Sequence, residues 1–393
     1  MKTLKTAQTI SYFLSFIALG LAMAALGPTL PGLAAQTGVD LKEISWLFTV
    51  RSFGFLLGSL FSGRFFDRLR GHAVMAAMLL AMAVTMALLP LAPTLLLLLT
   101  VMLALGIAEG ALGVGGNVLL VWVHESRVPP FLNALHFFFG VGTFLSPLLV
   151  TWALTFKGSP TSPYFALALV ILPAALVLLR VRSPQPQQLA AGDANGGRIN
   201  YKILVLIALL LCLYCGAEVS YGNWIYSYVL KMNLGDENRA AYVTSLFWGA
   251  LTAGRLLGVL IATKRRPRTI LLIDFVGCFI SIGIAILWSA SLVAITFASI
   301  CIGLSMASIY PTAMTFAERR MKITGQVTSF LLVGGSVGGM LVPLLIGWLF
   351  ESIGPRVMMV TILIDFVLIV MVYLFLILGP SAAYRTSAEQ GTG

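Results

Sequence analysis

Apolar residues follow one another along this chain in long blocks separated by short polar breaks. A helix crossing the hydrocarbon core of a bilayer needs about twenty mostly apolar residues. Twelve stretches qualify, at 8–30, 43–64, 72–91, 94–123, 129–154 and 163–181, and then at 201–230, 239–263, 268–288, 291–317, 324–350 and 355–379. The loops between them are short, so consecutive helices run antiparallel. The pattern predicts an all-α membrane protein of twelve transmembrane helices in two six-helix bundles. The bundles are expected at 1–182 and 201–380, with a linker at 183–200 and a tail at 381–393.

Composition agrees with this pattern. Of 393 residues, 59% are hydrophobic and 10% charged, against about 25% charged in soluble domains. So little charge cannot cover a water-facing surface, whereas lipid accepts apolar side chains. The net charge of +11 would suit a nucleic-acid partner, but the basic residues sit in clusters between apolar blocks and not on a polar face. They read better as a topology signal. With the N-terminus in the cytoplasm, eighteen of the 25 Lys and Arg residues fall on the inner side and five on the outer. That bias places both termini inside. Lys2 and Lys5 precede an apolar run too long for a signal-peptide core, so the first helix is expected to remain. Cys212, Cys215, Cys278 and Cys301 lie within apolar runs and suit packing, with no cofactor implied. No Asn-x-Ser/Thr acceptor occurs, which points to a bacterial inner membrane.

Residues 183–200, SPQPQQLAAGDANGGRIN, have the Pro, Gln, Gly and Asn content of a flexible linker. The halves on either side echo each other. Gly54-Phe-Leu-Leu-Gly58 in the second helix matches Gly254-Arg-Leu-Leu-Gly258 in the eighth, and Gly142 to Pro147 in the fifth matches Gly338 to Pro343 in the eleventh. Such spacing lets helix backbones approach closely. Parallel repeats of this kind put a substrate site between the halves near mid-membrane.

The loop after the second helix reads Gly63-Arg-Phe-Phe-Asp67-Arg68-Leu-Arg70-Gly71-His72. It resembles the signature loop of the major facilitator superfamily, Gly-x-x-x-Asp-Arg-x-Gly, with one residue inserted before Gly71. A carboxylate here can bond backbone N–H groups and a facing arginine, so Gly63, Asp67 and Arg68 are the expected conformational latch. Three other segments carry a closer resemblance: Gly116-Asn117 to Trp122 and His124, Leu132-Asn133 to His136 and Gly140, and Gly216-Ala-Glu218 through Tyr221-Gly222-Asn223-Trp224 to Tyr228. They resemble sodium-dependent glucose transporters of that superfamily and, more distantly, the proton-coupled fucose transporter. The resemblance implies a sugar-like solute carried with sodium or a proton. It also implies an acidic residue four positions before Asn117, where this chain has Gly113.

Ionisable groups at membrane depth are costly and need partners, a wet cavity or a neutral form. Glu109 and Glu218 are candidates for cation coupling, the alternative being structural partnered acids. Arg51 is a cavity charge that either binds an anionic group or neutralises one of those acids. Arg255 and Asp274 fall at similar depth and are expected to pair. Asp365 has no assigned role. Amides bond sugar hydroxyls and aromatic rings stack on sugar faces, which makes Asn117, Asn133, His136, Tyr221, Asn223, Trp224 and Tyr228 candidates for the solute site. Helix packing and membrane-interface anchoring are the competing uses of those aromatics.

The sequence therefore predicts a monomeric secondary transporter in the lipid bilayer, moving a small-molecule solute by alternating access. A proton-driven exporter of drugs or lipids fits the same fold. A membrane sensor or embedded enzyme fits less well, because no Walker or His-Glu-x-x-His motif occurs.

Overall fold

The computed structural model describes residues 2–157, 161–185, 200–262, 265–321 and 325–378. Most of the predicted linker, the tail and the side chain of Asp67 lie outside the described residues. The first six long helices are α1 (Lys2–Thr37), α2 (Trp46–Arg68), α3 (Gly71–Leu88), α4 (Leu95–His124), α5 (Pro129–Lys157) and α6 (Ser162–Arg180). The second six are α7 (Tyr201–Lys231), α8 (Glu237–Ala262), α9 (Pro267–Leu287), α10 (Leu292–Met306, continued by Ile309–Glu318), α11 (Gly325–Ser352) and α12 (Val357–Leu378). Eleven of the twelve are long and apolar enough to cross a membrane by composition. The exception, α8, has 26 residues and carries Glu237, Arg239 and Arg255.

Three local departures from the apolar pattern have physical causes. Helix α1 outruns its apolar block at both ends, and polar side chains near each end bond neighbouring segments. Gln8 donates to the Arg182 carbonyl (2.8 Å), and Gln36 donates to the carbonyls of Leu89 (3.0 Å) and Ala92 (2.6 Å). Before α2, a single turn at Leu41–Ile44 is capped by Asp40, whose carboxylate accepts from the Glu43 N–H (2.7 Å). Helix α10 breaks at Ala307–Ser308. Pro311 has no N–H to return to residue 307, so the ladder cannot run through.

The two halves repeat one packing scheme. Within the first, α1 lies on α5 and α2 on α4; within the second, α7 lies on α11 and α8 on α10. Glycine is required where these backbones touch. A Cβ at Gly54 or Gly58 would strike the carbonyls of Leu103 or Ile107 on α4, and a Cβ at Gly106 or Gly110 would strike those of Arg51 or Phe55 on α2. In the second half, a Cβ at Gly254 would come within 2.6 Å of Ala307, and one at Gly338 would strike the Cys212 carbonyl. The small-residue repeats of the sequence therefore mark homologous crossings.

The halves join through α1 with α7, α2 with α11, and α5 with α8. The face bearing the N-terminus and residues 63–72 is called here the linker face, and the opposite one the far face. Hydrogen bonds and ring contacts close the far side. Thr49 donates to the Met340 carbonyl (2.9 Å) and Ser52 to that of Gly339 (3.2 Å). Pro343 explains the second bond, since its missing N–H leaves the Gly339 carbonyl without its helical donor. Phe48 packs on Trp224 at 5.7 Å between ring centroids, and Lys42 lies over the Trp348 ring. At mid-depth a Cβ on Gly140 of α5 would meet Thr252 of α8.

Candidate functional site

One turn nearer the linker face than the Gly140–Thr252 crossing, α5 and α8 diverge around an open crevice. His136 of α5 packs edge-on to Phe16 of α1 (6.1 Å between centroids) and lies within electrostatic range of Arg255 on α8. It is nevertheless exposed, as is Asn133 one turn along the same helix. A side chain flanked from both halves can be exposed only if the space between them is open.

The opposite wall is charged. Arg255 reaches Glu218 of α7 at 3.1 Å, with side chains 27% and 14% exposed respectively. Tyr214, one turn before Glu218, feels its charge and donates to the Met306 carbonyl (3.0 Å). Tyr310, which follows the break in α10, stacks at a tilt on Tyr214 and feels the charges of Glu218 and Arg255. On the first half's side, Asn117 of α4 is half-buried and donates to the carbonyl of Gly113, its own i−4 neighbour (2.8 Å). Gly113 itself is half-exposed, with one side-chain atom near its missing Cβ, Leu19 at 3.9 Å. The acid implied there by family resemblance is thus replaced by space.

Several predicted site residues sit elsewhere. Arg255 does not pair with Asp274, because α8 turns its guanidinium inward to Glu218, while the α10 break brings Ser308 to donate to Asp274 (2.6 Å). Glu109 does not face the crevice. It is fully buried and held by Arg51 through two bonds of 2.9 and 2.5 Å, and the same guanidinium donates to the carbonyls of Ala22 (2.8 Å) and Met23 (3.1 Å) on α1. Arg51 is accordingly a neutralising partner and a clamp of three helices, not a free cavity charge. Tyr221 is fully buried against Ser299 (2.9 Å), and Trp224 is fully buried with its indole N–H on the Pro343 carbonyl (3.1 Å). Both serve the packing of α7 on α10 and α11. Tyr228 is buried as well. Asn223 is buried where α7 crosses Gly27 of α1, its amide N–H on the Val219 carbonyl (2.8 Å). Gly63 and Arg68 lie at the linker face, Arg68 exposed. Asp365 is buried on α12, one carboxylate oxygen lacking a hydrogen-bond partner among the described residues.

Sequence reasoning missed Tyr214 and Tyr310. Tyr214 lies one helical turn before Glu218, and Tyr310-Pro311 marks the interruption of α10; those were the available signals.

Polar and charged side chains of both halves thus border one crevice, and the halves touch each other on the far side. The frog (Xenopus laevis) protein named sodium-dependent glucose transporter 1 is 31% identical, over 84% of this chain and 73% of its own length. The mouse (Mus musculus) sodium-dependent glucose transporter 1A is 28% identical, over 85% of this chain and 88% of its own. Among solved structures, the nucleoside transporter NupG superimposes with a TM-score of 0.69 at 14% identity, covering 95% of this chain and 98% of that one. The family model of the Major Facilitator Superfamily matches residues 12–343, so this multi-pass membrane protein belongs to that superfamily of solute transporters.

Proposed function

We propose that the chain carries a small polar solute of the sugar class across the membrane together with a cation, by alternating access. The observation that carries this reading is the Glu218–Arg255 ion pair on the crevice wall, facing His136, with Asn117 on the first half. With Gly113 in place of an acid, the coupling chemistry falls to Glu218. A sodium ion or proton taken by Glu218 weakens its hold on Arg255, whose donors then become available to solute hydroxyls. Asn117, Asn133 and His136 offer further donors and acceptors from the other half. Solute and cation together neutralise the chamber, which lowers the electrostatic cost of closing it. Support for the sugar class comes from the names of the two glucose-transporter relatives and from the amides bordering the chamber.

The basic residues clustered on the linker face support placing that face in the cytoplasm. The conformation described is then open to the inside. Asp67 and Arg68 become the latch engaged when that face closes.

The test is uptake of a panel of labelled sugars into proteoliposomes, with sodium and pH gradients varied separately. Uptake of at least one sugar should follow one gradient, and Glu218→Gln should remove that dependence. No sugar uptake under any gradient would refute the solute class. Wild-type coupling retained in Glu218→Gln would refute the coupling site.

A further inference from the structure

A second site lies on the outer side of the first half, at the linker face, away from the crevice. Helix α2 ends at Arg68 and α3 begins at Gly71, so the chain turns within two residues. The end of α6 and the extended residues after it run alongside. Between these segments is a recess of roughly 760 Å³. Four arginines line it, Arg68 and Arg70 from one segment and Arg180 and Arg182 from the other, and no carboxylate is among its described lining residues.

His72 builds this geometry. It is 3% exposed. Its Nδ1 lies 2.8 Å from the Val181 carbonyl, so that nitrogen must carry the proton, and Nε2 accepts from the Tyr12 hydroxyl at 2.8 Å. The His72 backbone N–H meets the Ser183 hydroxyl at 3.3 Å. One side chain thus ties α1, α3 and the end of α6 together and brings the two arginine-bearing segments to one space.

Four like charges held around one recess repel each other unless an anion enters. The start of α3 adds to the attraction, because the residue at its cap position, Arg70, makes no side-chain capping bond. The rims are apolar: Leu69 and Leu179 line the recess and are 54% and 57% exposed. A free phosphate ion would use the guanidinium groups and leave the apolar rims unused. An amphiphile uses both. We propose that this recess binds the phosphodiester headgroup of an acidic phospholipid from the linker-face leaflet, with its acyl chains running along Leu69 and Leu179.

Native mass spectrometry of the detergent-purified full chain tests this, with phosphatidylglycerol and phosphatidylcholine titrated in turn. Phosphatidylglycerol should bind at least tenfold more tightly. Arg180→Gln/Arg182→Gln removes two charges and should weaken it by roughly thirtyfold; the Arg182 carbonyl that Gln8 uses is unaffected. Arg68→Gln/Arg70→Gln approaches the same space from the other rim and should act alike, which keeps the test alive if one double variant fails to give a monodisperse protein. Arg265→Gln/Arg266→Gln in the second half is the control and should bind as wild type. Equal affinity for the two lipids, or wild-type affinity in a well-folded recess variant, overturns the proposal. So does full displacement of the lipid by millimolar inorganic phosphate, which would assign the recess to a soluble anion.

Discussion

Arg51 directs its guanidinium at three partners at once, the Glu109 carboxylate on α4 and two backbone carbonyls on α1. A buried pair satisfied in this way is hard to dissect by single substitution, since removing one partner strands the other charge. Glu109→Gln or Arg51→Ala should each destabilise the protein by about 3–5 kcal/mol. The apolar double replacement Arg51→Met/Glu109→Leu should recover most of that loss, and thermal unfolding of the purified variants measures both. Glu218 and Arg255 are partly exposed and should show a smaller stability effect but a larger functional one. Asn117 belongs with them: its amide oxygen is left over from the bond to Gly113. Asn117→Ala should raise the solute dissociation constant by roughly tenfold, the equivalent of one hydrogen bond of about 1.5 kcal/mol, with unfolding temperature unchanged. Unaltered binding would remove Asn117 from the site. Which charge meets which was not legible in the sequence. Arg255 was expected to meet Asp274, which lies at similar depth; its partner is Glu218, and that outcome depends on how α8 is rotated and on a break in α10 that frees Ser308. Depth follows from counting residues, but rotation follows from packing that no single segment encodes.

At the scale of the element, the helices themselves were legible because lipid leaves the backbone no other way to satisfy its polar groups. Even α8, with three charged side chains, was found by length and by the alternation of basic loops. The far end of α1 was not, since Gln36 lies beyond the apolar block and bonds carbonyls of a segment remote in sequence. The aromatic run of α7 misled for a related reason: Tyr221 and Trp224 look like sugar-stacking rings, yet Tyr221 faces Ser299 inside the second half, and Trp224 bonds Pro343 and packs on Phe48 at the closed seam. The glycine repeats, by contrast, carried real positional information. Gly338 sits against the Cys212 carbonyl, with no room for a methyl group. Gly338→Ala should therefore destabilise by about 1–3 kcal/mol through forced separation of α7 and α11. Gly283→Ala on α9, where nothing lies within 4 Å of the added carbon, should leave the unfolding temperature near wild type. Equal effects at the two sites would mean that the crossing is looser than the packing indicates.

For the whole molecule, the repeat of two similar halves supplies a natural pair of states, and the contacts between them show which surface must separate. The far side is held by short hydroxyl-to-carbonyl bonds and by the Phe48–Trp224 contact, interactions weak enough individually to be broken and remade in a transport cycle. The Ser52 Cβ and a Cβ built on Gly339 lie 4.0 Å apart, within the range of about 3.5–4.5 Å that a disulfide needs. In a background with Cys212, Cys215, Cys278 and Cys301 replaced by alanine, Ser52→Cys/Gly339→Cys should oxidise readily. Fixing this point holds α2 to α11 and keeps the far side shut, so solute uptake should fall to background and return on reduction. A cysteine placed at Asn133, on the open side, should still react with a polar maleimide while the lock is in place. Full cross-linking with undiminished transport would show that α2 and α11 never part, and the rocking of the two halves would have to be abandoned as the means of carriage.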